Sequence, residues 1–135
     1  MEIPHVPKQL YCRGVAPKED ELMLTVVGAR AYTPYGREAC ETLIHGLRGY
    51  PITIVSGLAL GIDALAHEAA LRAGLRTIAV PGSGLRDSAL YPRSHVGLAK
   101  RILESGGTLL SEYEPDFRAT KWSFVQRNRI MAGLA

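Results

Sequence analysis

The apolar positions of this chain fall into short unbroken runs separated by stretches of helical period. Leu22–Val27, Ile52–Ser56, Thr77–Val80 and Thr108–Ser111 are apolar or β-branched throughout, and a glycine, proline or serine closes each of them. Runs of this length and composition read as strands buried on both faces. Between the first two, Thr33 and Pro34 open a helical stretch to about Leu47. After the second, Ile62, Leu65, Ala66, Ala69 and Ala70 repeat at helical spacing up to Gly74, a C-terminal cap. A loop of Gly, Ser and Pro then runs to Pro92, and a helix is expected from about Ser94 to Glu104. A loop holding Pro115 precedes the last helix, expected from about Phe124 to Gly133. Residues 1–21 carry Pro4, Pro7, Pro17 and a run of charges with no sustained period, and read as a lead-in segment or a short edge element.

Strand-then-helix repetition predicts an α/β fold: a Rossmann-like, doubly wound, mostly parallel sheet with helices on both faces, occupying residues 22–135. Such a sheet ordinarily returns to a further strand after its last crossover helix, so an incomplete domain lacking its C-terminal part is expected. The last helix, with Ile130, Met131 and Leu134 as its apolar face, would be marginal in isolation. Residues from about Trp122 onward should then be less protected from proteolysis than the strands.

At 135 residues and 47% hydrophobic content the chain suffices for one core. No run of 18 apolar residues occurs and the N-terminus lacks the order of a secretory signal, which predicts a cytoplasmic protein without a membrane partner. Cys12 and Cys40 stand apart from one another and from any histidine at ligand spacing, so neither a disulfide nor a metal site is expected. The net charge of +3 is a weak lean toward anionic partners. Its distribution says more: from Arg118 onward the chain carries Arg118, Lys121, Arg127 and Arg129 and no acid.

Open parallel sheets bind ligands beyond the carboxyl ends of their strands, where helix N-termini present unpaired amides. There lie Gly28-Ala29-Arg30, Ser56-Gly57 through Gly61, Pro81-Gly82-Ser83-Gly84 and Ser111-Glu112. Singly, each glycine only permits a tight turn. Together, with arginine and serine beside them, they point to an anion site, with phosphate the expected anion. The first loop has one glycine where a dinucleotide fingerprint needs three, and no Gly-Lys-Ser/Thr occurs, so no nucleotide cofactor is expected. Asp63 and His67 share a helix face but are too few for a metal site and read as structural. Ser56 and Ser111 lack the frame of a nucleophile elbow. Arg127 and Arg129 should splay about 200° apart on a helix, which predicts different roles, one of them an ion pair with Glu112 or Glu114. Phe124 reads as packing, and Trp122 stays open between packing and base stacking.

Val26–Arg30 (VVGAR) with Pro34–Gly36 (PYG), Val55–His67 (VSGLALGIDALAH), Thr77–Leu85 (TIAVPGSGL), Tyr91–Ser94 (YPRS), Leu109–Tyr113 (LLSEY) and Phe124–Ala135 (FVQRNRIMAGLA) together resemble the core of the DprA/Smf family, DNA-processing protein A. The resemblance covers about residues 22–135. It implies a Rossmann-fold protein, not an enzyme, that binds single-stranded DNA and serves recombination during natural transformation by loading the RecA recombinase, with a possible homodimer. It places the DNA and phosphate contacts on Gly28, Arg30, Ser56, Gly57, Gly61, Gly82, Ser83, Arg93, Arg127, Asn128 and Arg129. The family usually has proline after the phenylalanine near the Arg-Asn-Arg motif, where this chain has Val125.

Two alternatives use the same loops: a small-nucleotide-binding sensor, and a nucleoside-monophosphate phosphoribohydrolase of the lysine-decarboxylase-like type. The latter's glycine-rich signature should follow a strand. The nearest match, Gly106–Glu112, precedes and fills one.

Overall fold

The computed structural model describes residue 7 and residues 9–135; within the lead-in segment, residues 1–6 and 8 lie outside the described residues. The four apolar runs become parallel strands: β2 (Leu22–Thr25), β3 (Ile52–Ser56), β4 (Thr77–Ala79) and β5 (Thr108–Ser111). A fifth strand, β1 (Tyr11–Gly14), comes from the lead-in segment and pairs antiparallel with β5, from Tyr11 opposite Ser111 to Gly14 opposite Thr108. The order across the sheet is β1-β5-β4-β3-β2.

Because the four parallel strands follow one another across the sheet in chain order, right-handed crossovers send their helices to one face. Ile54 there meets α1 (Pro34–His45) and α2 (Ile62–Arg72) through Ile44, Ala66 and Ala70. Ala79 and Leu109 meet α3 (Val96–Glu104) through Leu98, Ala99 and Ile102. The second face, formed by Val55, Ile78, Val80 and Leu110, is covered by Ile130 and Met131 of α4 (Lys121–Leu134). The sheet is therefore sandwiched, and the inner strands are apolar on both sides for that reason.

Helix ends follow local chemistry. Thr33 caps α1 by accepting from the Gly36 amide at 3.0 Å, with Pro34 in the first turn. Gly74 takes the left-handed conformation just past α2, φ +71°. α4 starts three residues earlier than its apolar period suggests, because Thr120 and Ser123 cap each other: the Ser123 amide donates to Thr120 Oγ1 at 3.0 Å and the Thr120 amide to Ser123 Oγ at 2.8 Å. A serine in place of the usual Glu or Gln hides this box in the sequence. The apolar face that would leave the last helix marginal in isolation has a partner: α4 has 14 residues, and Ile130 and Met131 are buried against the sheet. Among the described residues no helix is long and apolar enough to cross a membrane.

At the amino ends of the strands Arg76 donates to Glu21 at 2.7 Å and to the carbonyls of Val15 and Gly106. This knot closes the edge opposite the glycine loops.

Candidate nucleic-acid interface

At the carboxyl edge the loop after β2 rests directly on the loop after β3. Gly61 has φ +84°, and a Cβ there would stand 2.2 Å from the Ala29 carbonyl oxygen and 2.4 Å from that of Arg30. The Ile62 amide donates to the Ala29 carbonyl at 3.1 Å. Gly28 lets the chain lie against Ile62, whose Cβ would be 2.7 Å from an added methyl. These two glycines bring the backbones together and set Arg30 on the rim.

Beneath the rim, Gly57 is gripped from both sides. Its amide donates to Asp63 Oδ2 at 2.9 Å, and its carbonyl accepts from Arg127 Nη1 at 2.8 Å. The same Nη1 donates to the Val80 carbonyl at 2.8 Å, and Nε donates to Asn128 Oδ1 at 3.0 Å. Arg127 is only 5% exposed and Asp63 only 4%. Burial pushes the Asp63 carboxyl up, against the Gly57 amide and the Arg127 charge, which favour the ionised form. A Cβ on Gly57 would fall 2.4 Å from Arg127 Nη1, so the grip requires glycine.

His67 lies one helical turn after Asp63 and is fully buried. Its Nδ1 is 2.8 Å from Thr77 Oγ1, whose hydroxyl donates to the Ile54 carbonyl at 2.9 Å. Nδ1 is therefore the protonated nitrogen, and Nε2 meets no partner among the described residues. Burial, helped by His95, lowers its pKa to about 3, so the ring is neutral.

Above these groups a cleft of about 540 Å³ opens between the loop after β2, the start of α2, and α4, with Val27, Gly28, Arg30, Phe124, Arg127 and Asn128 among its walls. Arg30 is exposed, and among the described residues no carboxylate pairs with it; its guanidinium carbon is 6.0 Å from the Phe124 ring centroid. Arg127 approaches that ring at 5.4 Å, and Tyr91 meets it edge-on at 5.3 Å. Phe124 packs over Gly82, as the sequence reading expects, but its ring also joins two arginines to the cleft.

The predicted site residues divide accordingly. Gly28, Arg30, Arg127 and Asn128 meet in the cleft, with Gly57 and Gly61 shaping its floor. Arg93 is exposed at the head of a short 3₁₀ turn, Arg93–His95, outside the cleft lining. Several direct contacts require correction, because the groups concerned spend their hydrogen bonds internally. Ser56 is fully buried and donates to the Val26 carbonyl at 2.5 Å. Ser83, also buried, donates to the Gly84 carbonyl, and Gly82 lies beneath Phe124. Arg127 holds two backbone carbonyls. Arg129 forms a two-pronged pair with Glu112, both contacts at 2.6 Å, the ion pair anticipated for one of the two arginines. Sequence reasoning missed Tyr91 and gave Phe124 only a packing role; the aromatic pair became visible only when the loop before Pro92 met α4.

A sequence profile describing DNA recombination-mediator protein A matches residues 1–135. The chain belongs to that family. Similar proteins include Protein Smf of Escherichia coli, 44% identical over 133 residues, which cover 96% of this chain and 34% of that protein. DNA processing protein DprA of Streptococcus pneumoniae is 41% identical over 136 residues, covering 98% and 46%. The chain thus spans between about a third and a half of these relatives' lengths. Among solved structures, DprA of Helicobacter pylori, described for its single-stranded DNA binding mode, superposes with a TM-score of 0.81 at 36% identity, covering 96% of this chain and 58% of that one. The S. pneumoniae DprA crystal structure gives 0.75 at 43% identity, covering 84% and 38%. The Rossmann-like architecture is shared with both.

Proposed function

We propose that the cleft at the carboxyl edge binds the backbone of single-stranded DNA, and that this chain is the strand-holding core of a DNA-processing protein. The observation carrying this reading is Arg30: a cation that, among the described residues, has no carboxylate partner, at the rim of a glycine-built cleft beside the partly exposed Phe124 ring. Arginine presents a planar fork of donors to phosphate oxygens, and the ring supplies a face for a base. Strand binding by the H. pylori relative supports the reading. RecA loading and dimerisation belong to the same proposal as later steps acting on the strand so held.

The chemistry is retention without bond cleavage. The hydroxyls of Ser56, Ser83 and Ser111 all donate to backbone carbonyls. The phosphoribohydrolase alternative is not favoured, since Glu112 is tied to Arg129 and Gly106-Gly107 lie at the amino end of β5, away from the cleft. Parallel titration with fluorescent oligo-dT and with nucleoside monophosphates tests the reading; saturable binding of the monophosphate alone would replace it with the sensor.

Two outcomes are expected. Affinity for oligo-dT and for a mixed-sequence strand should be alike and fall with salt, with a log–log slope of about −2 if Arg30, Arg93 and Lys121 each neutralise one phosphate. Gel shifts at several salt concentrations read this, and a flat salt profile would contradict it. Arg30→Ala should weaken binding by about 1–3 kcal/mol while leaving the circular-dichroism spectrum unchanged, because the side chain is exposed and supports no buried group.

A further inference from the structure

A large exposed aromatic surface lies outside the lining of the cleft. Trp122, its single tryptophan, is 72% exposed in the first turn of α4, and Val125 beside it is 65% exposed. Tryptophan seldom stands this far into water unless something covers it. Its surroundings choose the kind of cover. Arg118 and Lys121 flank it in the chain, both exposed and, among the described residues, without a carboxylate partner. From Arg118 to Ala135 there is no acidic residue. Apolar area ringed by unpaired cations fits a ligand that is flat and apolar on its faces and anionic along its backbone, which describes a nucleobase on a phosphodiester strand.

Helical geometry connects this surface to the cleft. At about 100° per residue, Phe124, Val125 and Trp122 follow one another around the first turns of α4 in steps of roughly 100° and 60°. Phe124 faces the cleft, Ser123 and Arg127 face inward, and Trp122 lies on the far flank of the helix. A strand leaving Phe124 and crossing the exposed start of α4 over Lys121 and Val125 reaches Trp122 after rounding about 160° of a helix roughly 10–12 Å across. The tight mutual cap of Thr120 and Ser123 fixes this turn, so the indole sits on a rigid support.

We infer that Trp122 is a base-stacking platform that extends the strand-binding track out of the cleft and across the N-terminal turn of α4. The inference rests on the proposed strand binding, and the test separates the two. Because Trp122 is the only tryptophan, its emission reports on its own face. The 135-residue chain is titrated with a labelled oligo-dT and with an abasic strand of equal length, following label anisotropy and tryptophan emission together. Both strands should bind, but only oligo-dT should quench the emission. Trp122→Ala should weaken oligo-dT by roughly ten-fold and leave the abasic strand unaffected, with Trp122→Phe restoring most of the loss. Since the side chain is mostly in water, the variants should keep the parent circular-dichroism spectrum. Strand binding without quenching would overturn the platform while leaving the cleft reading intact. Absence of strand binding would overturn both. Emission that shifts with protein concentration in the absence of DNA would instead assign Trp122 to a contact between copies of the chain.

Discussion

Arg127→Ala is expected to destabilise the domain by about 3–5 kcal/mol, far more than the loss of a surface arginine. The guanidinium is buried and holds the carbonyls of Gly57 and Val80, and its charge favours the ionised form of Asp63. Truncation would leave two carbonyls in the interior without their donor and the buried Asp63 carboxylate without the positive charge near it, and unmade buried bonds cost more than made ones gain. Urea denaturation followed by circular dichroism measures the effect. Asp63→Asn combined with Arg127→Met should cost less than the sum of the two single changes, since removing both charges avoids stranding either one. Strict additivity would show that the two residues act independently.

The contrast between Arg30 and Arg127 also marks how far the sequence could be read. The strands were legible because burial on both faces leaves unbroken apolar runs, and the carboxyl edge was legible because glycines crowd there. β1 was visible only as a short edge element: four residues of alternating burial at one side of the sheet give too little pattern to separate from a loop. The start of α4 was hidden by a cap made from threonine and serine. Residue roles were harder still. Ser56, Ser83 and Arg127 have the right chemistry at the right edge, but nothing in their spacing tells that their donors are already committed to Val26, Gly84, Gly57 and Val80. The 200° separation of Arg127 and Arg129 did predict divided roles, and the Arg129–Glu112 pair is one of them. Phe124 could not be placed, because its ring is flanked by residues almost 100 and some 30 positions away in the chain, Arg30 and Tyr91.

The second large effect concerns acid. A histidine whose folded pKa is about 3 stays neutral in the folded domain at pH values where the unfolded chain, titrating near 6.5, takes up a proton. The unfolded state then binds more protons, so the His67 contribution is fully present above pH 6.5 and is lost progressively as pH falls from there toward 3. The slope approaches about 1.4 kcal/mol per pH unit, on the order of 2 kcal/mol by pH 4.5. The carboxylates held low by their partners begin to cost stability only lower down: Glu21 and Glu68 start from 4.5 and Asp87 from 3.8. Asp63, raised by burial, acts in the opposite sense, so it cannot mimic the loss. Between pH 6.5 and 4.5 His67 is therefore the displaced group that loses stability as pH falls, with Asp63 offsetting part of that loss. Across that interval the urea midpoint of the parent protein should fall relative to that of His67→Phe, which fills the same space without a titratable ring while the Thr77 hydroxyl keeps its bond to the Ile54 carbonyl. An equal drop in both proteins would mean that His67 is protonated in the fold at no cost. Its unpartnered Nε2 would then have found a proton acceptor beside the loop that carries Gly57.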